Sequence, residues 1–274
     1  MAIKDILVHL DNSPQCAARQ DVAIGLARDF DAHLTGLYVM PSLMIGVFAE
    51  VQIPEEIIVQ QQEEARAAAA AVESEFKNAA ARAACPAEWR CVEGDAIDQI
   101  NGHARYTDLV VLGQAEQSGI LSPGAELADQ VVLGAARPVL FIPYIGPGKT
   151  LGKRILVAWN GSREAVRAIN DALPLLQHAE AVHVLAINPS SAEGDIPTAD
   201  ISLHLARHSV KAEASQVMAK DIEVGDALLS RAADLGIDLI VMGAYGHTRL
   251  RETILGGVTR RLLRHMTTSV LMSH

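Results

Sequence analysis

Apolar residues along the 274-residue chain gather into short, nearly continuous Ile/Val/Leu runs, separated by longer stretches of helical period. Ile6-Leu7-Val8-His9-Leu10-Asp11-Asn12-Ser13 recurs as Ile155-Leu156-Val157-Ala158-Trp159-Asn160-Gly161-Ser162, and residues 33–41 recur as 181–189. Asp108-Leu109-Val110-Val111-Leu112-Gly113 recurs as Asp238-Leu239-Ile240-Val241-Met242-Gly243, and the run 138–142 as 269–273, in the same order. Amphipathic patterns fill the spaces and predict helices over 14–30, 55–84, 95–105 and 124–136, then over 163–178, 198–211, 222–235 and 255–266. Buried strands alternating with helices specify a parallel sheet covered on both faces, with right-handed crossovers. The chain is therefore read as a duplicated α/β protein, one domain over 1–145 and a second over 150–274, joined by the Pro- and Gly-rich segment 143–149.

The copies differ in length. The offset between matched strands falls from 148 to 130, so the first half carries about 18 extra residues in its middle. They form the apolar segment 41–54 and a long Ala-rich helix from Glu55 to about Ala84, ~45 Å if unbroken. Ile58, Ala65, Ala68, Val72, Phe76 and Ala80 keep helical spacing and predict a core-facing stripe. Met44-Ile45-Gly46-Val47-Phe48 is apolar outside any regular pattern and is expected to cover the partner half or another subunit.

Half of the residues are hydrophobic and a fifth charged, an ordinary globular balance. No apolar run reaches the ~18 residues of a membrane span. The opening residues lack the layout of a signal peptide, and a cytoplasmic protein is expected. Three cysteines without a paired motif, and His204 and His208 without an adjacent Glu or third ligand, predict neither redox chemistry nor a metal centre. The formal charge of −10 argues against a nucleic-acid binder. Its distribution is uneven: residues 1–145 hold 9 Lys/Arg against 20 Asp/Glu, whereas residues 146–274 hold 14 against 13. Arg249, Arg251, Arg260, Arg261 and Arg264 lie in or just after one glycine-rich loop, and an anion is expected to be drawn there.

That loop follows the run 238–242 and reads Gly243-Ala244-Tyr245-Gly246-His247-Thr248, continuing to Gly256-Gly257-Val258-Thr259. Glycines let a backbone approach an anion, and the free N–H groups at a helix start favour one. Ligands of open parallel sheets lie beyond the carboxyl ends of strands, where this loop begins. Spacing alone leaves two readings open, a phosphate cradle or a tight strand-to-helix turn. The loop matches neither the P-loop nor the dinucleotide glycine pattern.

The spacing Gly243-x2-Gly246-x9-Gly256 resembles the G-2x-G-9x-G-(S/T) ATP motif of the universal stress protein (UspA) family, and the surrounding strand order is similar over the whole chain. The resemblance implies two tandem Rossmann-like (adenine nucleotide alpha hydrolase-like) domains, each a five-stranded parallel sheet with helices on both faces. It implies that Gly243, Gly246, Gly256, Gly257, Val258 and Thr259 wrap the triphosphate and ribose of ATP, ADP or AMP, with His247 beside the second glycine. Ala158, Asn160 and Ile187 match positions that hold the adenine and nearby sugar. Two departures stand out: Gly257 replaces a hydroxyl residue, and Asn160 replaces a carboxylate that could serve a Mg2+-bound phosphate. In the first half Gly113 is followed by Gln114, Ala115 and Glu116, and Glu126 stands opposite Gly257, so like charge predicts a single nucleotide site, in the second half.

A nucleotide-binding regulatory protein of the stress response is thus expected. The competing enzyme class, slow ATP hydrolysis or autophosphorylation, finds no general base near the phosphate end except His247 or Glu252. Asn160-Gly161-Ser162-Arg163-Glu164 also lacks the SGGxDS loop of nucleotide-activating relatives. A third class, a scaffold or a binder of another small apolar molecule, is motivated by the segment 41–48. The apolar last strands of both halves need covering, which predicts a pseudo-dimer within the chain, and pairing of two chains is a further alternative.

Overall fold

Two copies of one strand order lie side by side in a single ten-stranded sheet. The computed structural model describes residues 2–41, 55–114, 123–189, 198–219, 221–246 and 257–274, so the expectation for 42–54 lies outside the described residues. The first half runs β1 (Asp5–Leu10), α1 (Cys16–Asp29), β2 (His33–Met40), α2 (Glu55–Arg82), β3 (Ala87–Glu93), α3 (Ala96–Ala104), β4 (Leu109–Gly113), α4 (Pro123–Gly134) and β5 (Val139–Ile142). The second half runs β6 (Arg154–Ala158), α5 (Arg163–His178), β7 (Ala181–Ile187), α6 (Ala199–Arg207), β8 (Ala212–Val217), α7 (Val224–Asp234), β9 (Leu239–Gly243), α8 (Gly257–His265) and β10 (Ser269–Ser273).

The order β3-β2-β1-β4-β5-β10-β9-β6-β7-β8 is parallel within each half. Strand order reverses between β1 and β4, and again between β6 and β9, which are the crevices where such sheets take ligands. One apolar layer packs α1, α2, α5 and α6 on one face. A second packs α3, α4, α7 and α8 on the other. Aspartates at matched positions tie each switch together: Asp108 accepts from the N–H groups of Lys4 and Asp5 at 2.8 and 3.1 Å, and Asp238 from those of Lys153 and Arg154 at 3.1 and 3.0 Å.

The halves join where the sequence left two apolar edges. β5 and β10 pair antiparallel, with Leu140 opposite Leu271 and both fully buried. Because Leu140 and Leu271 are matched positions of the repeat, an approximate two-fold axis passes between them.

The structure corrects one helix bound expected from the sequence and adds two details. The helix expected over 198–211 ends at Arg207, and β8 begins at Ala212. β3 and β8 have no apolar run; they are outer edge strands whose side chains are mostly exposed or half-buried, so no burial pattern betrayed them. The stripe of α2 is fully seated only in its second part: Val72, Phe76 and Ala80 are buried, with Phe76 against Gly36 of β2, where a Cβ would stand 2.8 Å from the ring, while Ile58, Ala65 and Ala68 are half-buried.

Candidate functional site

At the second switch point β6 and β9 lie side by side, with Ala158 opposite Met242. Ala158 and Ile187 are half-buried where their strands end, and Asn160 is exposed one residue beyond Trp159. Asn160 Oδ1 accepts from the Ser162 N–H at 3.1 Å, closing a tight turn into α5, and Ser162 Oγ caps that helix by accepting from Ala165 N at 3.2 Å.

Gly243 and Gly246 follow β9 across the mouth of this turn. At Gly243 a Cβ would meet Ala165 N and Glu164 C, each at 2.5 Å, so this glycine lets α5 sit directly on the strand. At Gly246 a Cβ would lie 3.0 Å from Glu164 Oε2 and 3.1 Å from Ser162 Oγ. Glu164, 4% exposed, therefore places a carboxylate under the glycine loop. Burial pushes its carboxyl up, but hydrogen bonds from Arg163 and from its own N–H, with the charges of Arg163 and His274, leave it below the ordinary carboxylate value.

The far wall of the site is the start of α8. Gly257 is exposed with no described residue within 4 Å of where its Cβ would be, Val258 is half-buried, and Thr259 is buried. Thr259 Oγ1 accepts from the Tyr245 N–H at 3.3 Å, so it ties the glycine loop to the helix. Five of the ten residues named from the sequence stand at the strand ends and the loop, and three more on the first turn of α8; His247 and Gly256 lie outside the described residues.

Tyr245, between the first two glycines, was not singled out in the sequence. Its backbone has φ +56, rare for a bulky residue, and its hydroxyl donates to Asp129 Oδ1 on α4 of the other half. Asp129 Oδ2 also accepts from Arg260 Nε at 3.1 Å. Burial, then the hydrogen bond and charge of Asp129, push the Tyr245 hydroxyl well above the usual tyrosine range, so it stays a donor.

The expectation that clustered arginines draw an anion is corrected for two of them. Arg260 is paired with Asp129, and Arg261 with Asp226 through two hydrogen bonds of 2.8 and 2.9 Å, so both charges are met within the protein. Arg249 and Arg251 lie outside the described residues.

The matching crevice of the first half is built differently. His9 stands at the position of Ala158, Asp11 at that of Asn160, and Gly113 at that of Gly243. Arg19 of α1, 3% exposed, fills the space between α1 and β4: a Cβ on Gly113 would lie 2.2 Å from its Nη1. Its Nη2 stands 2.9 Å from Asp11 Oδ1, a charge contact whose angle makes no hydrogen bond. Burial, then the charge of Arg19, lowers the pKa of His9 from 6.5 to about 4. Burial acts to raise the Asp11 carboxyl, yet Arg19 and Ser13 hold it below the usual value.

Among the described residues no group of three or more His, Cys, Asp or Glu side chains is gathered as a metal site, and no helix is long and apolar enough to cross a membrane. These features define a duplicated Rossmann-like α/β protein whose second switch point carries Gly243 and Gly246 at the end of β9. The family model for the universal stress protein family matches residues 2–143 and again 152–274, so the chain belongs to that family. A relative, universal stress protein Slr1230 of Synechocystis sp. (strain ATCC 27184 / PCC 6803 / Kazusa), is 24% identical over 183 residues; the match covers 65% of this chain and 60% of that protein. The fold is shared with a universal stress protein from Archaeoglobus fulgidus DSM 4304, at TM-score 0.75 and 19% identity, covering 98% of this chain and 95% of the other. It is shared also with a putative universal stress protein from Pseudomonas aeruginosa UCBPP-PA14, at TM-score 0.62 and 16% identity, covering 99% and 93%.

Proposed function

We propose that this universal stress protein is a regulatory protein of the stress response that binds one adenine nucleotide, ATP, ADP or AMP, in its second half. The observation that carries the reading is the contrast between the two crevices. The second brings Gly243, Gly246 and the exposed start of α8 to the carboxyl ends of β6 and β9, with no described residue within 4 Å of a Cβ at Gly257. The first is filled by His9, Asp11 and the Arg19 side chain.

The residues present fit a nucleotide. Ala158 and Ile187 offer half-buried apolar walls for a base, Asn160 a hydrogen-bonding side chain for the sugar, and the N–H groups of Gly257 and Val258 the helix-start donors that phosphate takes. The Glu164 carboxylate under the loop favours a nucleotide whose phosphate charge is small or cation-neutralised. Binding of the folded state alone raises its stability. Calorimetric titration with ATP, ADP and AMP, with and without Mg2+, tests this. One site per chain and a rise in melting temperature are expected; no heat and no shift at millimolar ligand would sink the reading, and two equivalent sites would sink its assignment to one half.

A further inference from the structure

The second half's loop does not stand on its own half alone. Tyr245 meets three elements: its main chain belongs to the glycine loop, its N–H is held by Thr259 on α8, and its hydroxyl by Asp129 on α4 of the first half. Asp129 is mostly buried, with 15% of its side chain exposed, and shares its other oxygen with Arg260. One carboxylate thus fixes both walls of the candidate site, the loop after β9 and the first turns of α8. A glycine-flanked segment has wide conformational freedom, and a tyrosine at positive φ keeps that conformation only where its surroundings hold it.

We propose that Asp129 of the first half is a positioning residue for the second half's site: through Tyr245 and Arg260 it holds the glycine loop and the start of α8 in register, and so couples ligand binding to the contact between the halves. The coupling is reciprocal, because whatever the ligand does to Tyr245 is felt at Asp129 and the reverse. The contact has no mirror-image copy across the repeat. The position of Tyr245 is occupied in the first half by Ala115, which has no hydroxyl, and Arg260 stands at the position matched to Asp129 itself. The sequence alone supplies no sign of this, since the partners are 116 and 131 residues apart.

The proposal rests on the nucleotide reading for its affinity readout only. Hydrogen exchange of the full-length chain without ligand is the primary test, in Asp129→Ala, Asp129→Asn and Tyr245→Phe, with Asp226→Asn as a control that breaks another pair on α8. Asp129→Ala and Tyr245→Phe are expected to speed exchange of residues 243–246 and 257–260 roughly tenfold, the usual effect of one charge-assisted hydrogen bond. The amide introduced by Asp129→Asn can still accept from the tyrosine hydroxyl, so this conservative variant is expected to retain most of the loop's protection, as is Asp226→Asn. ATP affinity should fall by a similar factor in Asp129→Ala and Tyr245→Phe. Wild-type exchange at the loop in both of these variants, or acceleration spread evenly over the chain, overturns the proposal. Selective loosening of the loop in a protein that binds no nucleotide upholds the positioning role and overturns the nucleotide reading instead.

Discussion

Gly243→Ala tests whether the glycine that ends β9 is required by the fold itself. Gly243 is not among the residues with positive φ, so alanine's backbone preferences are met there and the substitution tests space alone. The new methyl would stand 2.5 Å from Ala165 N and from Glu164 C, and 2.8 Å from Glu164 Cβ. Two of these are backbone atoms, so no rotamer change relieves them. To restore contacts of ~3.5 Å the start of α5 must retreat by about 1 Å. Ala165, Ala168, Ile169 and Ala172 of that helix are at most 2% exposed, so the retreat opens packing along its length. Overpacking of this kind costs about 3 kcal/mol, and the stiffer unfolded chain returns about 0.5–1. The net loss of roughly 2 kcal/mol lowers the folding constant about 30-fold and the melting temperature by about 4–8 °C. Urea unfolding followed by circular dichroism, without ligand, measures it. Gly246→Ala is the internal comparison, because the described atoms nearest its Cβ would be side-chain atoms of Glu164 and Ser162, at 3.0 and 3.1 Å. A Gly243→Ala protein as stable as wild type within about 0.5 kcal/mol, or a Gly246→Ala protein equally damaged, would refute the reasoning.

Gly257→Ser, at the start of α8 where no described residue lies within 4 Å of the new Cβ, is expected to leave the melting temperature unchanged or slightly raised and to strengthen ATP binding several-fold, as titration calorimetry would register. His9 gives a pH dependence: with its pKa lowered from 6.5 to about 4, the unfolded chain takes up a proton that the folded chain refuses, so stability falls as pH drops from 6.5 towards 4, by on the order of 3 kcal/mol. His9→Ala, the residue found at the matched position 158, should flatten that slope in urea midpoints compared between pH 7 and 5; an unchanged slope assigns it elsewhere. Gln114→Ala removes the amide that donates to Leu263 O and Arg264 O at 2.9 and 3.0 Å and accepts from Tyr144 N at 2.8 Å, and should cost about 1–2 kcal/mol in calorimetric unfolding.

What could be read beforehand follows from where each residue finds its partners. The central strands were legible because both of their faces are buried, which forces continuous Ile, Val and Leu. Ala87-Glu88-Trp89-Arg90-Cys91-Val92-Glu93 and Ala212–Val217 have one neighbour each at the outer edges of the sheet, and the exposure that permits their charged and polar residues also erases the pattern. The stripe on α2 was visible, but not where the sheet beneath it stops. At the candidate site the glycine spacing was plain, whereas its fixings were not: Glu164 under the loop, Arg19 in the opposite crevice and Asp129 across the halves are defined by docking. Charge counting failed at Arg260 and Arg261 for the same reason, since net charge ignores which carboxylate each guanidinium meets.

Duplication within one chain permits contacts that a symmetric pair of identical domains cannot make. Across a two-fold axis residue i meets j and j meets i, and residues near the axis meet their own copies. Leu140 and Leu271 obey that rule. Asp129 and Arg260 occupy matched positions too, and in a pair of identical domains they would be two aspartates or two arginines in mutual repulsion. In this chain one position is acidic and the other basic, so an ion pair stands where identical copies would repel. Gln114 against the end of α8 and Tyr245 against α4 are likewise met by Ala244 and Ala115 at the matched positions, residues unable to return the contact. These breaks in symmetry run in both directions: Gln114 and Asp129 of the first half brace the second, while Arg167 of the second half donates to Ala136 O of the first at 2.8 Å from a position matched by Ala18. The difference between the crevices and the bracing across the halves are separate consequences of unlike copies, and the nucleotide stoichiometry and the Asp129 variants examine them independently.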